Sequence, residues 1–167
     1  MFEKTIEEKI AVLDRVKVLG GLKGNREAQN ILVHLMKEKA FKADHVVIQE
    51  GKVEHEFFIL LKGQVSVYKN TPENASYKVA ILKDEQTPAL GEGGLIEGDS
   101  RTATVRCDTD CQFLVLNRTD FNVFCEKYPQ WALPIVRNIA TFLISRLHQS
   151  NNDVILLHKA LMHEIRG

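Results

Sequence analysis

The sequence has no excess of charge of either sign: its 167 residues include 22 lysines and arginines and 22 aspartates and glutamates. A general binder of nucleic acid or anionic membranes carries a basic excess, so neither is expected as a partner. No run of about 18 apolar residues is present to cross a bilayer. Residues 1–9 are charged and lack the apolar core of a signal peptide. We therefore expect a cytoplasmic protein.

Cysteine is also scarce, with three thiols in the chain. A small odd number indicates reduced thiols rather than a disulfide framework, and we expect Cys107, Cys111 and Cys125 to pack as small hydrophobic side chains. Cys107 and Cys111 bracket a predicted turn at 108–110, so a redox pair or a zinc half-site stays open as an alternative. No second pair of Cys or His residues completes a zinc site.

Histidine is sparse where strand-forming residues are dense. Only His45 and His55 lie there, ten residues apart, and the sequence has no His-x-His pair. A metal-dependent enzyme of the cupin type would need clustered His and carboxylate ligands facing the inside of a barrel. We therefore expect a protein that is not an enzyme, with no catalytic residue, metal or cofactor, and keep a cupin-type enzyme as a remote alternative.

The composition, 44% hydrophobic and 26% charged, is typical of one globular domain, here residues 1–167. Residues 1–40 are predicted to form helices, because Ile6, Ile10 and Leu13 recur at helical spacing. Asn25 can cap a second helix after the glycines that interrupt the first part of the chain.

Between residues 41 and 117 the apolar residues come in short bursts separated by turn signals. Many short strands at close spacing, with no long helix between them, indicate an antiparallel sandwich or barrel. The predicted strands lie at 46–48, 57–61, 65–68, 79–82, 102–105 and 113–116.

Residues 118–167 are predicted to be helical again. Asn117 can cap a helix that Pro129 interrupts. A long helix then runs from about Leu133 to about Ile165, with Pro134 in its first turn, where proline is tolerated.

The long helix carries a repeating apolar pattern over residues 140–161. Its members are spaced alternately three and four residues apart: Ala140, Leu143, Leu147, Ser150, Val154, Leu157 and Leu161. This spacing predicts a coiled-coil seam between the two copies of a homodimer. The alternative is a helix that lies along the strand-rich part of its own chain. Ser150 is the one polar member, and its hydroxyl needs a partner.

The segment from Ala89 to Val105 points to a ligand. Three glycines, at 91, 93 and 94, surround the single carboxylate of Glu92, and a turn at Glu97-Gly98-Asp99 precedes Arg101. Glycines let backbone N–H groups approach an anion, and a helical turn starting at Gly94-Leu95 would aim free N–H groups at it. Because a carboxylate accepts hydrogen bonds from sugar hydroxyls, the combination suggests a sugar phosphate or nucleotide. The alternatives are a plain loop and a structural Glu92–Arg101 ion pair.

This segment resembles the phosphate-binding cassette of the cyclic nucleotide-binding domain family, which includes the catabolite activator protein, protein kinase A regulatory subunits and cyclic-nucleotide-gated channels. The cassette, residues 90–103, has the family's Gly-Glu pair at Gly91-Glu92 and its Arg and hydroxyl pair at Arg101-Thr102. Further similarity covers Phe41, Glu50-Gly51, 58–67 and 116–121.

The resemblance implies an α+β fold: an antiparallel β-roll (jelly-roll-like, a double-stranded β-helix) over 41–117, flanked by N-terminal helices and a long C-terminal helix that acts as a lid. Glu92 would accept the ribose 2′-hydroxyl, Arg101 would pair with the cyclic phosphate, and Thr102 would reach phosphate or base. The remaining cassette contacts would come from Gly91 and the N–H groups of Gly93, Gly94 and Leu95. Ser150 and Asn151 lie where the catabolite activator protein places its adenine contacts.

Some residues depart from the family pattern. Gly93 replaces a branched apolar residue, which loosens the cassette, and Leu90 replaces a common aromatic. Ala43-Asp44 lacks a usual turn glycine, and Lys52 replaces an acidic residue.

Taken with the resemblance, the sequence predicts a cyclic nucleotide sensor that binds cAMP in preference to cGMP and repositions its C-terminal helix. The catabolite activator class continues past this helix into a basic DNA reader that these residues do not include, so we expect the output to pass to an unidentified effector protein; the alternatives are that the sequence is a fragment or that the output is dimer geometry alone. The alternative is a degenerate module of the same fold that dimerises and binds no nucleotide.

Overall fold

The computed structural model describes residues 4–71, 75–96 and 100–166, with no side chain described at Arg166. The predicted turn at Glu97-Gly98-Asp99 lies outside these residues. Within them, the order along the chain is helices, eight strands and helices again.

The N-terminal part forms two α-helices joined by a 3-10 helix, as the spacing of its apolar residues predicts. Their bounds are α1 Ile6–Leu13, the 3-10 helix Lys17–Leu22 and α2 Arg26–Leu35. Thr5 and Glu8 cap α1 reciprocally through side chain and backbone. Asn25 caps α2 as predicted, since its Oδ1 accepts a 3.1 Å hydrogen bond from the N–H of Ala28.

The prediction that residues 1–40 are all helical is wrong at its C-terminal end. The first strand, β1, occupies Lys37–Phe41 and pairs with a later strand, Cys111–Asn117, along its whole length. Its charged sequence gives no alternating apolar signal, so the pairing rather than propensity decides its structure. The strand's charges find partners: Glu38 lies 3.2 Å from Lys9, and Lys39 lies 2.5 Å from Glu56.

The strands form two antiparallel sheets of four strands each in the described residues. The bounds of the remaining strands are β2 Val46–Ile48, β3 Glu56–Lys62, β4 Gln64–Asn70, β5 Ser76–Lys83, β6 Ala89–Leu90, β7 Thr104–Cys107 and β8 Cys111–Asn117. Their orders are β1-β8-β3-β6 and β2-β7-β4-β5. The chain passes repeatedly from one sheet to the other, and the two facing sheets form the predicted β-roll. The strand predicted at 102–105 is shifted, because β7 begins two residues later.

Two apolar cores result from this layering. One lies between the two sheets and includes Phe58, Val65 and Phe113, together with the buried thiols Cys107 and Cys111. The other lies between the opposite face of the first sheet and the helices, and includes Phe57, Leu114 and Phe121. Successive residues of β3 and β8 therefore face different cores, as alternate strand residues must.

The C-terminal part contains two helices, α4 at Arg118–Lys127 and α5 at Pro129–Arg166. Asn117 caps α4 as predicted, accepting a 2.8 Å hydrogen bond from the N–H of Thr119. The predicted start of the long helix at Leu133 is wrong by four residues, because Pro129 itself opens α5, a position that needs no N–H partner. Pro134 therefore lies in the second turn rather than the first.

Helix α5 is held at its beginning and exposed along the rest of its length. Ala132, Ile135 and Ile139 are buried against the helical core. Beyond them Phe142 and Met162 are half-buried. The other large apolar side chains are exposed: Leu143, Ile144, Leu147, Val154, Ile155, Leu156, Leu157, Leu161 and Ile165. The homodimer predicted from residues 140–161 stays a prediction. No helix among the described residues is apolar and long enough to span a membrane.

Candidate functional site

The cassette is positioned by a short strand and a short helix. Strand β6 pairs with β3, placing Leu90 opposite Phe58. The chain then turns at Gly91, whose φ of +80° is in the left-handed region that favours glycine. A single helical turn, α3, follows at Gly93–Ile96. Its Leu95 side chain is buried in the helical core and fixes the turn to the body of the protein.

Arg101 lies almost wholly inside this arrangement, with 7% of the residue exposed. Its Nη2 donates to the Glu56 carbonyl at 2.5 Å and its Nη1 to the Gly91 carbonyl at 3.2 Å. The Nε lies 3.4 Å from a carboxylate oxygen of Glu54. A guanidinium has five N–H donors. Within the described residues three are engaged in these contacts, which leaves two for an incoming anion.

The backbone before Arg101 is also tied to the neighbouring loop. The Arg101 N–H donates to the Lys52 carbonyl at 2.8 Å, and the Gly51 N–H donates to the Arg101 carbonyl at 2.9 Å. An isolated bridge joins Val53 and Ser100. Both the main chain and the side chain of Arg101 are thus fixed by residues 51–56, so the guanidinium is preorganised before any ligand arrives.

Glu92 is buried, with 6% of the residue exposed. Burial raises the pKa of its carboxyl above the ordinary glutamate value, against the opposing effects of a hydrogen bond from its own backbone and the charges of Arg146 and Arg101. Arg146 belongs to α5, so the C-terminal helix places a positive charge near the cassette carboxylate. The sequence also allowed a structural ion pair between Glu92 and Arg101. That pair does not form, because the carboxylate paired with Arg101 is that of Glu54.

Two of the three backbone N–H groups predicted to bind the phosphate already donate hydrogen bonds within the turn. The Gly94 N–H donates to the Gly91 carbonyl at 3.0 Å, and the Leu95 N–H donates to the Glu92 carbonyl at 3.1 Å. The prediction that the turn starts at Gly94-Leu95 is wrong by one residue, since α3 starts at Gly93. Gly94 has a second role: a Cβ there would lie 2.8 Å from the Nη1 of Arg101.

Six of the predicted site residues come together in the cassette: Gly91, Glu92, Gly93, Gly94, Leu95 and Arg101. Thr102 follows Arg101 directly and is exposed. Ser150 and Asn151 lie apart, exposed on α5, one turn beyond Arg146. Their predicted contact with a base therefore depends on a ligand or on movement of the helix.

Sequence reasoning missed two charged residues at this site, Glu54 and Arg146. Glu54 stands two residues before β3, and nothing in its local sequence reveals that β3 pairs with β6 and so approaches Arg101. Arg146 stands four residues before Ser150 and shares its side of the helix, which was the available signal.

The geometry favours a ligand that carries both an anion and hydroxyl donors. The guanidinium has N–H groups to give, and the buried carboxylate can accept from a hydroxyl. Among residues 4–71, 75–96 and 100–166, no three His, Cys, Asp or Glu side chains cluster as metal ligands would. Burial and the neighbouring Cys111 raise the pKa of Cys107 to about 12, so this thiol stays protonated.

The fold and the site define a class: β-roll domains with a glycine-rich cassette built around a buried arginine. Residues 38–128 match the cyclic nucleotide-binding domain family. This chain belongs to that family.

Curated relatives are similar to this chain in sequence, and solved structures are similar to it in fold. Human potassium/sodium hyperpolarization-activated cyclic nucleotide-gated channel 2 is 30% identical over 133 residues, covering 79% of this chain and 14% of the channel. A cyclic nucleotide-binding domain from Methylobacillus flagellatus superposes with a TM-score of 0.73 at 22% identity, covering 90% of this chain and 82% of that one. The regulatory domain of Toxoplasma gondii PKA with cAMP gives 0.65 at 23% identity, covering 74% and 47%. The chain thus spans about a seventh of the channel's length.

Proposed function

We propose that the protein is a cyclic nucleotide sensor, a regulatory module rather than an enzyme, which binds cAMP in the β-roll and repositions α5. The observation that carries the proposal is the cassette itself, in which the buried carboxyl of Glu92 follows the Gly91 carbonyl that accepts a hydrogen bond from the buried Arg101. The charge of Arg146 in α5 opposes the rise that burial causes in the pKa of Glu92. A ligand hydroxyl on Glu92 changes the hydrogen bonding of this carboxyl, and through its charge nucleotide binding biases the position of the helix.

Each cassette residue has a role in this function. The two unengaged N–H donors of Arg101 bind the cyclic phosphate, and Glu92 accepts the ribose 2′-hydroxyl. Thr102, exposed beside Arg101, reaches the phosphate or the base. The Gly93 N–H adds a further donor at the start of α3.

The ligand we propose is cAMP, with cGMP as the weaker candidate. Support for cAMP comes from the PKA regulatory domain of similar fold, which was crystallised with cAMP, and from Ser150, placed by the family resemblance near an adenine. Support for cGMP comes from Thr102, because a hydroxyl at this position can reach a guanine in the syn conformation.

We further propose a cytoplasmic homodimer that pairs through α5 and passes its signal to an effector protein. The exposed apolar side chains of α5 support the pairing, because a soluble monomer rarely leaves so long an apolar face uncovered. A population shift of α5 would then change the geometry of the pair.

The first experiment is thermal unfolding with and without cAMP and cGMP. A ligand at about 100 times its Kd stabilises the folded protein by about 2.7 kcal/mol, which raises Tm by roughly 5–10 °C for a domain of this size. Arg101→Ala should abolish the rise. Arg146→Ala should reduce it, whereas Arg137→Ala, an exposed arginine on the same helix, should leave it unchanged.

A second candidate is the degenerate module that binds no nucleotide. The observation favouring it is that Arg101 already has three protein acceptors, one of them the Glu54 carboxylate. No shift of Tm with either nucleotide at millimolar concentration would select this candidate over the sensor.

A further inference from the structure

A carboxylate lies beside the guanidinium that is proposed to hold the phosphate. One carboxylate oxygen of Glu54 is 3.4 Å from the Nε of Arg101, and the two side chains are 32% and 6% exposed. The Nη1 and Nη2 of Arg101 donate to the carbonyls of Gly91 and Glu56. An anion that binds the remaining N–H groups of Arg101 therefore lies close to the negative charge of Glu54.

The charges around Arg101 largely offset one another in the described part of the chain. The guanidinium carries one positive charge and the Glu54 carboxylate one negative charge, while the two carbonyls add none. The neighbouring carboxylate of Glu56 is paired with Lys39 at 2.5 Å, so it adds little. Arg101 therefore offers an anion directed N–H donors more than net positive charge.

This arrangement distinguishes anions by their charge. A cyclic phosphate diester has two terminal oxygens and one negative charge, whereas a phosphate monoester has three terminal oxygens and a charge of about −1.5 to −2 at pH 7. The two N–H groups of Arg101 left within the described residues match the diester. The extra charge of the monoester is repelled by Glu54 in a site where little water screens the interaction.

We infer that Glu54 makes the site selective for a singly charged cyclic phosphate over the nucleoside monophosphate that hydrolysis of the ring produces. The inference rests on the proposed function and adds to it a residue that sets specificity. Glu54 weakens the attraction of the site for every anion, but it weakens it about twice as much for a dianion. A sensor with this property responds to the cyclic nucleotide and not to its hydrolysis product.

Calorimetric titration with cAMP and with 5′-AMP tests the selectivity of the unmodified protein and of Glu54→Gln. The amide keeps the shape of the side chain and removes its charge, so the ratio of cAMP affinity to 5′-AMP affinity should fall about tenfold. If Glu54 only positioned Arg101, the ratio would rise, because a displaced guanidinium loses more attraction for a dianion than for a monoanion. A ratio that rises, or that changes by less than about twofold, overturns the inference.

Two further variants separate charge from shape. Glu54→Asp keeps the charge, so its affinity ratio should stay within about threefold of that of the unmodified protein. Glu50→Gln removes a nearby carboxylate that is bonded elsewhere, to the N–H of Asn70 at 2.9 Å. Its ratio should therefore stay within about twofold. A tenfold fall in Glu54→Asp or in Glu50→Gln would show that the charge of Glu54 is not the cause, and would overturn the inference.

A third ligand separates charge from the closed ring of the cyclic phosphate. The 5′-methyl ester of AMP has an open chain but only one negative charge. Glu54→Gln should leave its affinity relative to cAMP unchanged within about twofold. If the methyl ester gains as much as 5′-AMP does, the variant has relaxed a requirement for the ring, and the inference is overturned.

The pH gives a readout that a merely structural role of Glu54 would not move. The second ionisation of a phosphate monoester has a pKa of about 6, so most 5′-AMP is singly charged at about pH 5. The difference in affinity ratio between the unmodified protein and Glu54→Gln should be largest at about pH 7.5 and largely vanish at about pH 5. An equal difference at both pH values overturns the inference.

Other charged groups at the site do not confuse this comparison. Burial raises the pKa of Glu92, against the charges of Arg146 and Arg101, so Glu92 also titrates above its ordinary range. These three residues are present in both proteins and meet the same ligands, so the comparison between the proteins isolates Glu54.

Failure of the sensor and failure of the inference give different results. If the unmodified protein binds cAMP and Glu54→Gln keeps the same selectivity, the sensor stands and the role of Glu54 is wrong. If the unmodified protein binds neither nucleotide at millimolar concentration, the proposed function fails and the inference fails with it. Thermal unfolding without ligand establishes that each variant is folded.

Discussion

Gly91 and Arg101 are so close that a Cβ on the glycine would lie 2.6 Å from the Nη1 of the arginine. The same nitrogen donates to the Gly91 carbonyl at 3.2 Å. The guanidinium therefore occupies space that any side chain at 91 would take. Glycine here supplies room for the arginine as well as the positive φ of the turn, so the cassette arginine and its glycines act as one unit.

Gly94→Ala should damage this unit without changing any charge. The new Cβ would lie 2.8 Å from the Arg101 Nη1 and 3.0 Å from the Glu54 carbonyl oxygen. Since the backbone oxygen cannot move away freely, the guanidinium must shift. We expect cAMP affinity by calorimetry to fall at least tenfold, about 1.4 kcal/mol. An unchanged affinity would show that the position of the guanidinium does not matter for binding.

Gly93→Ala is the matched substitution with the opposite expectation. A Cβ at this position has no atom within 4 Å. Replacing glycine by alanine where alanine fits stabilises the folded protein by about 0.4–1 kcal/mol, because the unfolded chain then has fewer conformations to lose. The same reasoning applies to a cassette that becomes ordered only when the ligand binds. We expect cAMP affinity to stay the same or to rise by up to about fivefold. A loss as large as that of Gly94→Ala would contradict the role given to space around Arg101.

Glu92→Gln should weaken nucleotide binding and stabilise the ligand-free protein. The amide keeps the shape but accepts a weaker hydrogen bond from the ribose, and a hydrogen bond to a charged group contributes about 1.5–3 kcal/mol. The neutral bond that remains contributes about 0.5–1.5 kcal/mol, so the loss is about 1–1.5 kcal/mol and affinity should fall by about 5- to 13-fold. Unfolding by urea should show the gain in ligand-free stability, because the variant buries no carboxylate.

The same variant gives a pH test with a defined sign. Burial raises the pKa of Glu92 in the folded protein. The folded state therefore holds its proton more tightly, and stability falls as the pH rises from about 4.3, the unfolded value, to the raised folded value. The stability of Glu92→Gln minus that of the unmodified protein should grow through this window and then level off. A difference that shrinks with rising pH would contradict the burial argument.

Local sequence predicted much of this molecule because several signals are short-range. Asn25 and Asn117 cap helices where expected, and the apolar bursts became strands. The errors occurred where distant pairing decides. Strand β1 has the charged sequence Lys-Glu-Lys and exists through its pairing with β8. The long helix was expected to begin at Leu133, with Pro134 in its first turn, whereas it begins four residues earlier, at Pro129.

The site residues divide in the same way, into those with a local sequence signal and those that the fold brings in from a distance. Glu92 and Arg101 could be found from their spacing to the cassette glycines. Glu54 could not, because it reaches Arg101 through the fold, 47 residues away in sequence.

Thr87→Gly should stabilise the protein away from the cassette. Thr87 has a φ of 47°, unfavourable for a β-branched residue, and its buried Oγ1 has no hydrogen-bond partner within the described part of the chain. Relief of such strain is worth about 1–3 kcal/mol, so Tm should rise by about 2–4 °C per kcal/mol. Thr87→Val is the control, because it removes the hydroxyl and keeps the strain. An equal gain in both variants would assign the effect to the hydroxyl.

Gly21→Ala should loosen the attachment of α5 to the 3-10 helix. A Cβ at Gly21 would lie 2.3 Å from the Cβ of Pro134, whose ring is rigid. Overpacking of this kind costs about 1–3 kcal/mol, so Tm should fall by about 2–4 °C per kcal/mol. Gly20→Ala is the neighbouring control, because its Cβ would come no closer than 3.9 Å, to the Asn138 Nδ2, and Tm should stay within about 1 °C. Equal losses in both variants would mean that glycine is needed here for the 3-10 turn itself, and that contact with Pro134 does not anchor the helix.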